Sequence, residues 1–242
     1  MLLKTQGIIL NNVKYGDKKV ISKIYTLHYG LQTYAINFGT TQKSKIKPAH
    51  LQPLNQVDLE IFFKEKNEVN RVTEIRILYP YTELNRNINK NCIAVFLNEV
   101  LLKSLRESGS NEILFDFVTF SFQQLDKKEK DYNSFHLFFL IELSQHLGFF
   151  AQNNFSDSHT YFNLMDGRFE EKPPPHANYL DINDSAVFSR MLANYNEYEH
   201  SGLINSAERT KQLNLLLQYY RFHIPGFNEL KTLSVLQSTL AG

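Results

Sequence analysis

Cysteine occurs once in this 242-residue chain and tryptophan not at all. A lone Cys92 excludes an intrachain disulfide and cannot by itself supply a cysteine-based zinc site, as suits a reducing setting. Glycine (10) and proline (7) are sparse, which argues against a loop-rich or collagen-like protein. With 43% hydrophobic and 21% charged residues, the composition is that of an ordinary globular chain and excludes disorder. No uncharged apolar run reaches the roughly 18 residues a membrane helix needs. Met1 to Gln6 lacks the basic and apolar regions of an export signal. These absences point to a soluble, cytoplasmic chain, long enough for one large domain or two small ones.

The common catalytic signatures are missing as well. There is no Gly-x-Gly-x-x-Gly, no Gly-x-x-x-x-Gly-Lys-Ser/Thr, no Gly-x-Ser-x-Gly and no His-Glu-x-x-His. Glu142 and His146, four residues apart, can share a helix face, but two ligands do not make a metal site. His136 and His223 sit in apolar stretches and read as core residues. Cys92, beside Ile93 and Ala94, reads as a small buried hydrophobe. Glu170-Glu171 and Pro173-Pro174-Pro175 read as a solvated, stiff loop. Nothing here forms a catalytic constellation.

Charge is unevenly spread. Residues 1–80 hold twelve Lys/Arg against six Asp/Glu, whereas residues 81–242 hold fourteen against nineteen. A basic first part and an acidic second part suggest two modules, the first of which can meet a polyanion.

The hydrophobic period changes at the same place. Before Pro80 the chain predicts short strands at Ile8–Val13, Val20–Tyr25, Leu31–Phe38, Val57–Phe63 and Val72–Leu78. Turns separate them at Tyr15-Gly16-Asp17, at His28-Tyr29-Gly30 and across Lys64–Asn70. Five strands in so short a span suit a small closed barrel, because closure removes exposed edges. After Pro80 the period is helical. Ile93, Phe96, Leu97, Val100, Leu101 and Leu105 form one stripe. Ile113–Leu125 and Phe135–Leu147 are dense enough in Phe and Leu to predict helices buried on more than one side, the second stopping at Gly148. An irregular stretch is expected from Gln152 to Asp184. Helices are expected at Val187–Tyr198, at Ala207–His223 behind an Asn205/Glu208 capping box, and at Leu230–Leu240. The expectation is an α+β chain of two domains, a five-stranded barrel over 1–80 and an all-α domain over 81–242.

Within the basic part, Lys43, Lys45 and Lys47 alternate with Ser44 and Ile46, and Lys14, Lys18 and Lys19 flank a turn. Alternation places three ammonium groups on one side of an extended segment, a geometry that can follow a phosphate backbone. Tyr15, Tyr25, Tyr29, Tyr34 and Phe38 interleave with these charges. Some must be core, and any that reach the surface beside lysines, Tyr15 first, can stack on unpaired bases. The alternative is that the lysines solvate exposed loops. A nuclease reading finds little support, since the six acids of residues 1–80 show no compact ligand spacing.

The order of these pieces resembles the RecO family of recombination mediators along nearly the whole chain. The resemblance rests on Gly7-Ile8-Ile9-Leu10, Tyr15-Gly16-Asp17, Thr26 with Gly30, Gly39 with Lys43-Ser44-Lys45, and Leu51-Gln52-Pro53. Towards the other end, Arg209–His223 and Leu230-Lys231-Thr232-Leu233 contribute. It implies an N-terminal OB-fold barrel, a helical second domain, and a non-enzymatic mediator of DNA repair and homologous recombination associated with the nucleoid. Such a protein binds single- and double-stranded DNA, anneals strands and contacts the single-stranded-DNA-binding protein. With a RecR-type partner it helps a RecA-type recombinase displace that coat. Many members carry a four-cysteine zinc site after the position of Gly148, but this sequence has no cysteine after Cys92. Zinc is therefore not expected, and Tyr161, Phe162, Leu164 and Phe169 can hold the segment instead. Were zinc present, His159 and His176 would be the first ligands to suspect.

The resemblance also implies that the single-stranded-DNA-binding protein offers an acidic tail ending in an apolar residue, and a receptor for it needs an apolar pocket rimmed by cations. Candidates are Lys103 and Arg106 beside Leu101, Leu102 and Leu105, and Lys127, Lys128 and Lys130 after the Phe-rich helix. Cations at helix ends also simply complement the dipole there. The competing function is a protein-only scaffold with an incidentally basic barrel.

Overall fold

In the computed structural model of the chain, residues 1–41, 43–63, 69–106, 109–195 and 205–241 are described. Five strands come first: β1 (Leu2–Lys14), β2 (Lys19–Thr26), β3 (Gly30–Asn37), β4 (Gln56–Phe62) and β5 (Asn70–Tyr79), with a 3-10 turn at Pro48–Leu51 before β4. They close into a barrel in the order β1-β2-β3-β5-β4. All neighbours are antiparallel except β3 and β5, which run parallel over Tyr34↔Asn70 to Ile36↔Val72. Ile9, Ile24, Tyr34, Ile36, Val57, Leu59, Ile61, Val72 and Ile75 fill the interior. Gly7 faces inward, where a Cβ would lie 2.7 Å from Ile24 and 3.0 Å from Leu59, so only glycine fits between those strands. β1 starts six residues earlier than its apolar pattern predicts. Leu2–Ile8 is polar on its outer face and is held by pairing with β4, from Leu2↔Phe62 to Ile8↔Gln56, a contact no local pattern announces.

The helices are α1 (Ile88–Ser104), α2 (Glu112–Lys127), α3 (Phe135–His146), α4 (Ile182–Ala193), α5 (Ser206–His223) and α6 (Leu233–Thr239). The chain divides into two compact units. The first is Met1–Asn87 with Ala94–Lys127, and the second is Ile88–Ile93 with Lys128–Gly242. The barrel's unit by contact thus also takes in α2 and most of α1.

Polar groups show why. The Asp126 carboxylate, buried in α2, accepts from the Thr82 backbone N–H at 3.1 Å and the Leu84 N–H at 2.7 Å, fastening the segment that leaves β5. Gln56 of β4, also buried, donates to Tyr81 Oη and to the Thr119 carbonyl, both at 2.8 Å, and accepts from Gln123 Nε2 at 2.7 Å. Tyr25 packs on Phe115, and Asn98 Nδ2 donates to the Leu10 carbonyl at 2.9 Å. α2 buries one face only. Ile113 and Phe120 stay 73% and 56% exposed, contrary to the expectation of burial on several sides. Its aromatics are spaced to leave a wet face, which density alone does not reveal.

In the second unit α3 is buried from Phe135 through Ile141, as its composition predicts. α5 lies against it, with Tyr220 Oη donating to the Leu140 carbonyl at 2.6 Å. The stretch expected to be irregular contains a three-stranded sheet, β6 (Tyr161–Asn163), β7 (Arg168–Glu170) and β8 (Tyr179–Leu180), ordered β7-β6-β8. These strands are two or three residues long, too short for any periodicity. α4 begins at Ile182, five residues before its apolar pattern, because Asp181 accepts from the Asp184 N–H at 2.9 Å and caps it. Asn196–Tyr198 of the expected helix, like Lys64–Glu68 of the expected turn, lie outside the described residues. At α5 only half of the capping box forms. Asn205 accepts from the Glu208 N–H, while the Glu208 carboxylate accepts from Gln212 instead of reaching back. Cys92 is half-buried with its Sγ 3.5 Å from Thr239 Oγ1, so it packs against a hydroxyl and is not fully enclosed in apolar surface. No helix among the described residues is long and apolar enough to cross a membrane.

Candidate nucleic-acid interface

The β1–β2 turn is short because Gly16 takes a φ of +87°, which costs a glycine little, and the Tyr15 N–H closes it on the Lys19 carbonyl at 2.9 Å. The loop after β3 is anchored by Ile46, which is buried in the barrel core, and by the Gly39 N–H donating to the Ile46 carbonyl at 2.9 Å. A Cβ on Gly39 would meet the Ser44 side chain, so a larger residue there would displace the Ser44 hydroxyl where the loop folds back. The alternation read from the sequence follows. Lys43, Lys45 and Lys47 are exposed, while Ser44 is half-buried and Ile46 buried.

The two basic segments meet at one end of the barrel. The Phe38 N–H donates to the Lys18 carbonyl at 3.0 Å, and Lys19 pairs with Asn37 in the β2–β3 ladder. Lys14, Lys18, Lys19, Lys43, Lys45 and Lys47 therefore belong to one region. Lys14, Lys18, Lys19, Lys43 and Lys47 have no acidic partner among the described residues. Lys45 is different, since its Nζ is 3.4 Å from Glu74, which Arg76 also holds at 2.7 Å. The hydrogen bond from Arg76, with Lys45 adding to it, keeps the Glu74 carboxyl below the usual carboxylate range. Glu60 is likewise held on this sheet, 3.5 Å from Lys4 Nζ.

Of the five aromatics interleaved with the lysines, Tyr15 alone projects, at 64% exposure, with Lys19 Nζ 5.1 Å from its ring centre. Tyr25 and Tyr34 are core, and burial pushes both phenols well up. Tyr29 stacks on Phe63 at 4.6 Å, and Phe38 packs against the core. Sequence reading missed Arg71 and Arg76, isolated cations on β5. Arg71 reaches the loop only because β5 pairs in parallel with β3 (Ala35↔Arg71). An arginine among strand residues otherwise looks like a solvated outer face.

Lys103 is paired with Glu99 at 3.8 Å, and Arg106 lies beyond the end of α1 at Ser104. Leu101 and Leu105 are buried, so these apolar neighbours are already covered. Lys127 Nζ lies 5.9 Å from the Tyr79 ring in the barrel's unit, whereas Lys128 and Lys130 belong to the second unit.

The residues after Gly148 do not suit a zinc ion. Phe162 packs on Phe169 at 4.9 Å and on Phe188 at 4.7 Å, with Phe155 against Phe169 at 5.3 Å, so carbon contacts occupy the segment's centre. His159 Nδ1 lies among the Ser156 and Ser158 hydroxyls, and His176 Nδ1 accepts from the Asn178 N–H. Among the described residues no three His, Cys, Asp or Glu side chains come together to hold a metal.

A closed five-stranded barrel of order 1-2-3-5-4 is an OB fold, the class of small barrels that bind oligonucleotides and oligosaccharides. Residues 1–81 match the family model described as recombination protein O N terminal, and residues 85–233 match the one described as recombination protein O C terminal. The DNA repair protein RecO of Azobacteroides pseudotrichonymphae is 34% identical over 239 residues, covering 98% of this chain and 99% of that protein. The RecO proteins of Flavobacterium psychrophilum and Bacteroides fragilis are 30% and 31% identical over 243 and 240 residues, covering all and 98% of both chains respectively. The chain belongs to the RecO family of DNA repair proteins.

Proposed function

We propose that this chain is a recombination mediator. It binds DNA at the basic end of the barrel, anneals complementary strands and helps load a RecA-type recombinase onto single strands coated by the single-stranded-DNA-binding protein. The observation that carries this reading is the convergence of two separate basic segments at one barrel end, with five of their six lysines lacking an acidic partner among the described residues. No covalent bond is made or broken in annealing. Phosphate neutralisation by the lysines lets two strands approach, counterion release drives binding, and base pairing then drives the annealing. Tyr15 offers a ring on which an unpaired base can stack. The reading extends to double-stranded DNA, a RecR-type partner, the single-stranded-DNA-binding protein and a place on the nucleoid, supported by the family resemblance alone.

Binding of a fluorescent oligonucleotide at two salt concentrations tests the reading. The affinity should fall steeply with salt on any sequence, and absence of binding would leave a protein-only scaffold. For the protein partner, charge reversal at Arg106 with Lys103, or at Lys127, Lys128 and Lys130, should abolish capture of the acidic tail peptide while oligonucleotide binding survives. Undiminished capture in both variants places that interaction elsewhere.

A further inference from the structure

The parallel ladder between β3 and β5 ends at Ile36↔Val72. Beyond it the strands part, β3 continuing beside β2 and β5 beside β4, and the loop after β3 closes over the gap. The result is an open cavity of about 330 Å³. Its apolar lining is Phe38, Ile46 and Val72, the last two buried in the barrel core. Ser44 and Thr73 contribute hydroxyls, and Lys45 and Arg71 contribute charge. Arg71 is exposed and has no ion-pair partner among the described residues. The Phe38 N–H bond to Lys18 sets the cavity beside the basic turn. A bare anion site would have no use for the apolar lining, and an apolar ligand would have no use for two cations.

We propose that this seam is a subsite for one nucleotide unit of a single DNA strand, with the phosphodiester at Arg71 and Lys45 and the sugar and base against Phe38, Ile46 and Val72. The subsite rests on the DNA-binding reading above. A duplex presents its phosphates but keeps its bases stacked inside, so it can touch the rim and cannot fill the cavity. Glu74 is an internal competitor. It holds Lys45 at 3.4 Å and Arg76 at 2.7 Å, and an incoming phosphate must draw Lys45 away from it.

The test measures binding of an oligothymidylate and of a duplex of equal length to the full chain, over a range of salt, for the parent, Arg71→Gln and Glu74→Gln. Arg71→Gln should weaken single-strand binding roughly two- to fivefold, the scale of an exposed charge pair, and lower the salt slope by about 0.7. Its effect on the duplex should be smaller. Glu74→Gln should tighten single-strand binding and steepen the slope, and the gain should disappear in Glu74→Gln/Lys45→Gln. Both are surface substitutions, and unchanged melting curves verify that the fold is kept. If the parent binds but Arg71→Gln affects duplex and single strand equally, Arg71 is a plain surface cation and the subsite is refuted while the DNA-binding reading stands. The same holds if neither variant differs from the parent. If the parent binds no oligonucleotide, both fail together.

Discussion

Lys45 stands in the same short loop as Lys43 and Lys47, yet it alone of the three has a carboxylate in reach among the described residues, Glu74 at 3.4 Å. A cation already paired has less to offer a phosphate. Lys43→Ala and Lys47→Ala should each weaken oligonucleotide binding more than Lys45→Ala, on every sequence alike. The triple variant should flatten the log-affinity against log-salt line by about 0.7 for each single-strand phosphate that is no longer neutralised. Fluorescence anisotropy at several salt concentrations checks both points, and an unchanged slope would reduce these lysines to loop solvation. The loop's alternation is legible in the sequence because its period is local. The ion pair is not, since Lys45 and Glu74 are 29 residues apart and meet only through the barrel.

His136 carries a different signature. It is wholly buried, and burial, with Arg209 nearby adding to it, pushes the imidazole down to about 3. An unfolded chain takes up that proton near pH 6.5. The stability contributed by burying the neutral ring is therefore complete above about pH 6.5 and lost as pH falls towards 3, by up to ~1.4 kcal/mol per pH unit. Melting temperature measured from pH 7 to 5 should fall less steeply for His136→Gln than for the parent. Parallel profiles would mean the acid sensitivity arises elsewhere.

At the scale of elements, α2 is the piece whose place local pattern does not reveal. Its sequence, dense in Phe and Leu, predicts a helix correctly, but not its partner or its wet face. The deciding interactions are polar. Asp126 caps the two backbone N–H groups of Thr82 and Leu84, and Gln56 links β4 to Tyr81 and to α2. Replacing Asp126 by Ala leaves the buried Leu84 N–H without its acceptor and removes that of the part-buried Thr82 N–H, and should cost about 2–4 kcal/mol in urea unfolding, with Asn in between because it keeps one acceptor. A loss under about 0.5 kcal/mol would mean water replaces the carboxylate. The same scale separates the strands of the barrel, visible as period-two segments, from β6, β7 and β8, which are too short to show a period and are held by Phe162, Phe169 and Phe188.

For the molecule as a whole, that aromatic cluster is the centre of the segment that follows Gly148. If packing alone supplies the cohesion there, chelation with EDTA should leave the melting curve of the full chain in place. Elemental analysis of chelator-free protein should find far less than one equivalent of zinc. A stoichiometric metal whose removal also destabilises the chain would overturn this. By itself the sequence determined the strand-rich basic start, the helical remainder, the absence of the familiar catalytic motifs and the family resemblance. All of these depend on composition, local period or order along the chain. The tertiary structure alone decided which helices join the barrel's unit, which of the five aromatics remain outside, and that two lysine clusters and Arg71 share one barrel end. Those facts depend on barrel closure and the β3–β5 parallel pairing, which bring together residues whose separation along the chain carries no trace of their meeting.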